Sequence, residues 1–138
     1  FTREGLGEII FEELRSLKKP IVAVPGGWDR ELIGFLDRSG FSVHGKGKVV
    51  NGVGFYGYGG AKTPFNTPLE PSEEEIKSGL NAAYKNIERC KIKIQITHAP
   101  PARTKLDIIA AGAHVGSESV RKFIEEKQPQ VAVCSHIH

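Results

Sequence analysis

The stretch Gln130-Val131-Ala132-Val133-Cys134-Ser135-His136-Ile137-His138 decides how the chain is read. Its apolar run Val131 to Val133 has the length and composition of a buried strand. Side chains two apart on a strand point to one side, so His136 and His138 are expected to project together where that strand ends. Open α/β sheets bind their ligands at the carboxyl ends of strands. Two imidazoles there are candidate metal ligands, and the upstream chain can be searched for more.

Working back from that end, the apolar pattern alternates between strands and helices. Leu6, Ile9, Ile10, Leu14 and Leu17 recur at helical spacing, predicting a helix over Glu4 to Lys19 that Pro20 stops. Ile21 to Val24 reads as a buried parallel strand closed by Pro25-Gly26-Gly27. Asp29 can cap a helix over Arg30 to Arg38, ended by Ser39-Gly40. Phe41 to Val50 and Val53 to Tyr58 are β-like, and Asn51-Gly52 between them is a strong hairpin signal. A Pro- and Thr-rich loop, Ala61 to Pro71, follows, and Ser72 with Glu75 forms a capping box for a helix reaching about Arg89. Ile92, Ile94 and Ile96 alternate with Lys91, Lys93 and Gln95 in a strand ending at Thr97-His98, beyond which Pro100-Pro101 forbids continuation. A polar loop over Arg103 to Gly116 leads to a helix over Ser117 to Lys127, and Pro129 separates it from the final strand. The expectation is one α/β domain over residues 1–138 with an antiparallel hairpin insert.

Composition narrows the class further. With 39% hydrophobic and 25% charged residues the 138-residue chain is an ordinary globular sequence. No apolar run approaches membrane-spanning length, which argues against a membrane partner. Cys90 and Cys134 make no disulfide framework, so a reducing cytoplasm is the expected location. The net charge of +3, with lysines and glutamates interspersed, permits an anionic substrate but lacks the basic stripe of a nucleic-acid binder. The chain opens at Phe1 and contains no Met, and it stops at His138 directly after a strand, so a segment of a longer polypeptide is expected, truncated at both ends.

Polar residues collect at three strand ends: Gly26-Gly27-Trp28-Asp29, Thr97-His98-Ala99-Pro100-Pro101 and Ser135-His136-Ile137-His138. If these strands are sheet neighbours, His98, His136 and His138 converge. On these blocks the chain resembles the calcineurin-like metallophosphoesterases, in particular their small prokaryotic single-domain branch. That family carries an Asp-x-His block, a Gly-Asp block, a Gly-Asn-His/Cys-Asp block, a lone His and a Gly-His-x-His block. The first two are absent here. Gly26 to Asp29 stands at the third, His98 at the fourth, and Ser135 to His138 at the fifth, with Ser135 replacing Gly. Thr63 to Pro68 and Gly112 to Ser117 also look like this branch.

The resemblance implies a metallophosphoesterase-like β-sandwich flanked by helices, here an incomplete domain. It implies hydrolysis of a phosphomonoester or phosphodiester by a water activated between two divalent ions, with Mn, Fe or Zn as the candidate metals. His98 and His136 would share one ion, His138 would bind the other, and Asp29 would orient water or a neighbouring side chain in the catalytic step, alongside His98. His114, Asn66 and Arg103 are candidates for contact with the substrate, a phosphate-ester small molecule or nucleotide. Gly27 replaces the family's metal-binding Asn, and Trp28 replaces its His or Cys, where it can wall the site or cover a core edge. A competing reading follows from Gly27: a scaffold that has lost ligands and serves as a binding module. His44, inside the hairpin region, reads as structural, and the oligomeric state stays open.

Overall fold

The computed structural model describes residues 2–138. Its centre is a four-stranded sheet of β1 (Gly47–Val50), β2 (Val53–Tyr58), β3 (Ile92–Thr97) and β4 (Val131–Val133), in that spatial order. β1 and β2 are antiparallel across Asn51-Gly52, whose φ angles of +50° and +80° supply the left-handed pair that a tight hairpin needs. β2, β3 and β4 are parallel, with Tyr56 opposite Gln95 and Ile96 opposite Val133. The hairpin expected as an insert is therefore part of the sheet, since β2 is the strand that pairs with β3.

The helices are α1 (Arg3–Arg15), α2 (Leu32–Arg38), α3 (Glu73–Lys85) and α4 (Glu118–Lys127). The capping box forms as expected: Glu75 N donates to Ser72 Oγ at 3.1 Å, and Ser72 N donates to Glu75 Oε1 at 3.2 Å. α3 and α4 bury Ile76, Leu80, Ala83, Val120 and Phe123 with Tyr56 and Ala99 in one core. A smaller core of Phe35, Leu36 and Phe41 takes Phe11, Ile21 and Ala23 at its edge.

Three expectations about packing change. On β3 the polar positions are the buried ones: Gln95 and Thr97 face the main core, while Ile92 is half exposed. The alternation forms the strand as expected, and its polar side is the covered one, because α3 and α4 lie over the Gln95 side and Tyr56 Oη can donate to Gln95 Oε1 at 3.0 Å there. The β4 strand expected to be buried is exposed, because it is an edge with β3 on one side only. Likewise Leu6, Ile9, Ile10 and Leu14 of α1 are exposed, as is Leu17 beyond the helix end at Arg15, short of the expected Lys19, and the helix packs instead through Gly7, where Leu32 takes the space a Cβ would fill.

Ile21 to Val24 is not a strand but an extended segment with a single parallel bridge. Ala23 N donates to Phe41 O at 2.7 Å, and Val43 N donates to Ala23 O at 2.9 Å. The β-like stretch from Phe41 likewise becomes regular only at Gly47. Gly57 explains the crowding at this seam: a Cβ there would lie 1.8 Å from Ile96 O and 3.3 Å from Val24 Cγ1. No described helix is long and apolar enough to cross a membrane.

Candidate metal and phosphoester site

Parallel order places the carboxyl ends of β2, β3 and β4 along one edge, and backbone bonds carry the alignment past the strands. His98 N donates to Tyr58 O at 3.2 Å, and Ser135 N donates to His98 O at 3.2 Å. His98 is thus fixed between the two neighbouring chain segments. His136 does not continue the strand. Its φ is +76°, and Ile137 N donates across it to Ser135 O at 3.0 Å, the high-energy form of the γ-turn. The turn replaces the expected two-residue alternation and brings His136 Nδ1 to 3.2 Å from His98 Nε2.

The Gly26–Asp29 turn closes the site from the other side. Asp29 N donates to Gly26 O at 3.1 Å, and Gly26 N donates to Asp29 Oδ2 at 3.0 Å. The Asp29 side chain therefore does not cap α2, whose N-cap is Glu31 without a side-chain bond. It lies beside His98 instead: a Cβ on Gly26 would meet Asp29 Oδ2 at 2.8 Å and His98 Cε1 at 3.3 Å. Arg3 reaches in from the first turn of α1, with its guanidinium 3.9 Å from Asp29 Oδ1 and 5.5 Å from the Trp28 ring centre.

These groups line a pocket of about 410 Å³ that also includes Gly27, Thr63, Phe65, Thr67 and His138. A depression of about 510 Å³ near Val49, Cys90 and Ile92 is larger, but its lining holds no histidine. Burial pushes the His98 imidazole below its ordinary range, and neighbouring His136 adds to this against the pull of Asp29. Burial also lowers His136, with His138 acting in the same direction. Both rings are thereby held neutral, the form that ligates metal.

The donor chemistry fits one shared ion. Two metal–nitrogen bonds of about 2.1 Å at a tetrahedral angle separate their nitrogens by about 3.4 Å, close to the 3.2 Å between the two rings. Among the described residues, no group of three or more His, Cys, Asp or Glu is arranged to hold an ion. His98 and His136 bring two ring nitrogens together, and His138 shares their pocket without joining them.

The remaining candidates lie elsewhere. His114 Nδ1 is 2.7 Å from Oδ1 of the fully buried Asp107, and His114 is absent from the pocket lining. Arg103 is an anchor of the 101–116 loop: its N–H donates to Asp107 Oδ2 at 2.9 Å, and its guanidinium pairs with Glu118. Asn66 occupies an exposed turn at φ +55°, and its neighbours Phe65 and Thr67 line the pocket in its place. His44 is structural, accepting from Gly59 N at 2.8 Å through Nδ1. Arg3 and Phe65 had no local sequence signal, because both reach the site only through tertiary packing.

Comparison with known proteins shows the family. The family model for calcineurin-like phosphoesterases matches residues 1–138. The chain belongs to the calcineurin-like phosphoesterase family. It is 37% identical over 145 residues to the uncharacterized protein MJ1162 of Methanocaldococcus jannaschii, an alignment covering 99% of this chain and 65% of that protein. A solved crystal structure shares the fold at a TM-score of 0.77 and 21% identity, covering 98% of this chain and 58% of that one. The chain thus spans about two thirds or less of the proteins it matches.

Proposed function

We propose that the protein hydrolyses phosphomonoesters or phosphodiesters of small molecules or nucleotides, with His98 and His136 sharing one divalent ion and His138 turned toward a second. The observation that carries this is the pair of imidazole nitrogens 3.2 Å apart at the carboxyl edge of a parallel sheet. Nitrogen donors of this kind suit Mn, Fe or Zn. Bound ions supply Lewis-acid polarisation of the phosphoryl group and a water of lowered pKa. The chain's own contribution is placement. The Tyr58–His98–Ser135 backbone bonds fix the main chain that carries the His98 ring. Asp29, held by Gly26 N, presents its second oxygen to the pocket and to Arg3, where it can orient a water or a neighbouring ring. The free thiols of Cys90 and Cys134 suit a reducing cytoplasm.

Gly27 favours a second reading, a scaffold with incomplete ligands that binds without hydrolysing. A side chain at this position would first meet Thr67 Oγ1, 3.1 Å from a built Cβ. One experiment separates the two readings. The intact protein is stripped of metal, reloaded separately with Mn, Fe and Zn, and assayed for bound metal and for hydrolysis of p-nitrophenyl and bis-p-nitrophenyl phosphate. Hydrolysis lost in His98→Ala, with metal affinity reduced at least about tenfold, is the expected result. Fewer than one ion per chain, with no turnover under any metal, leaves the scaffold reading.

A further inference from the structure

The pocket has an aromatic mouth that metal binding does not explain. Trp28 is 52% exposed and Phe65 is 76% exposed, and both line the pocket that holds His98, His136 and His138. Single exposed apolar residues are ordinary on a protein surface. Two large rings on the rim of one polar pocket are not scattered exposure, and each is held in place. Trp28 sits within the Gly26–Asp29 turn, with Arg3 at its ring. Phe65 is carried on a turn stapled by one carboxylate: Glu70 Oε1 accepts from Thr63 Oγ1 at 2.5 Å, from Thr67 N at 2.7 Å and from Thr67 Oγ1 at 3.2 Å. Phe65 N in turn donates to Thr63 Oγ1 at 3.0 Å. Leu69 N donates to Gly27 O at 2.9 Å, tying this loop to the turn that carries Trp28. The two rings are therefore displayed on mutually anchored backbone rather than on free loops. Display of this kind lowers the ordering cost of binding a flat ligand.

The charge pattern completes the site. Arg3 is the one arginine or lysine of the lining, and its guanidinium is placed between the aromatic rim and Asp29. A volume of about 410 Å³ is within the range of small-molecule sites.

We propose that Trp28 and Phe65 select phosphoesters whose organic portion is a flat π-system, a nucleobase or an aryl ring, with Arg3 assisting at the charged ester. This deepens the phosphoester reading above and rests on it. Aromatic rings bind such groups by stacking, which alanine substitution values at about 1–3 kcal/mol per ring, or roughly 5- to 150-fold. A glycerol ester offers no π-face and gains nothing from the same rim.

Trp28 is the single tryptophan of this chain and reports directly on occupancy. The intact protein is titrated with AMP, phenyl phosphate, glycerol 3-phosphate and inorganic phosphate, and Trp28→Phe isolates the signal of this ring. Saturable quenching by AMP and phenyl phosphate, at concentrations at least about fivefold lower than for glycerol 3-phosphate, is expected. AMP binding more tightly than phenyl phosphate identifies a nucleobase, and the reverse order identifies an aryl group. In turnover, Phe65→Ala and Trp28→Ala lower the kcat/KM ratio of the aromatic ester over glycerol 3-phosphate roughly 5- to 150-fold. Equal affinity for aromatic and glycerol esters, or variants that leave that ratio unchanged, overturns the aromatic selection while hydrolysis itself keeps the phosphoester reading. Absence of hydrolysis with any metal overturns that reading, and the binding titration still decides the role of the rim.

Discussion

Replacing Asp107 with Asn tests whether one buried carboxylate organises the loop behind His98. Asp107 is fully buried, and its two oxygens meet four donors. Oδ2 accepts from Arg103 N and Gly116 N, each at 2.9 Å, while Oδ1 accepts from Thr104 N at 2.9 Å and faces His114 Nδ1 at 2.7 Å. An amide keeps one acceptor oxygen and turns its NH₂ toward two of these donors. Hydrogen bonds to a charged group contribute about 1.5–3 kcal/mol each. The partly accessible backbone donors recover some of that from water, so the expected loss is about 2–4 kcal/mol. The pH dependence gives a second handle. Burial by itself raises the carboxyl, but the bonds from His114, Gly116, Thr104 and Arg103 outweigh it and hold the group well below the usual carboxylate range. A carboxyl depressed on folding stabilises the protein above its unfolded value of about 3.9 and loses that contribution as the pH falls further. Urea unfolding of wild type and Asp107→Asn should therefore differ at pH 5 and above and converge as the pH falls below about 4. A difference under about 0.5 kcal/mol at pH 7, or one unchanged at pH 3, refutes the argument.

Gly57→Ala would place its methyl group 1.8 Å from Ile96 O, so a loss above about 3 kcal/mol in a thermal melt is expected; a variant as stable as wild type would show that the β2–β3 seam opens freely. Gly26→Ala would push on Asp29 Oδ2 from 2.8 Å and on His98 from 3.3 Å. Hydrolysis should fall about 10- to 100-fold with little change in melting temperature, and an unaffected kcat/KM would separate Asp29 from the reaction. Burial lowers the pKa of His44, whose Nδ1 must stay unprotonated to accept from Gly59 N. Because the unfolded chain takes up that proton first, stability should decline as pH falls below about 6.5 until the depressed folded value is passed. His44→Gln should flatten that decline in urea titrations at pH 5–7, and an equal slope in both proteins would exclude His44 as its source.

The strand-end blocks were legible because chemistry and turn signals coincide there. Asn51-Gly52, Ser72 with Glu75, and Thr97-His98 before two prolines each carry a local rule, and each local structure matches it. Burial was not legible from the same letters. Ile92, Ile94 and Ile96 announce an apolar face, yet Gln95 and Thr97 are the buried residues of β3, because the side covered by α3 and α4 is decided by topology rather than by alternation. Among the described residues, Gln95 Nε2 has no hydrogen-bond partner. Within the site, His98 and His136 could be read from their blocks, but Arg3 and Phe65 could not. Arg3 arrives because Gly7 lets Leu32 approach α1, and Phe65 because Glu70 folds its loop back.

The γ-turn at His136 links these two levels. An alternating strand through Ser135 to His138 would have sent His136 and His138 the same way, and the sequence pattern favours that outcome. Instead Ser135 N bonds to His98 O, which continues the alignment with β3 for one residue, and the chain then turns at the next. A non-glycine residue at φ +76° costs of order 1–3 kcal/mol. The 3.2 Å contact with His98 and the Ser135–Ile137 bond offset part of this cost. Strain placed on a histidine, rather than on a neighbouring residue, is economical only where the position of the ring matters. The shared-ion reading supplies that reason, since a relaxed extended backbone at residue 136 would give up the spacing that lets two imidazoles meet one metal.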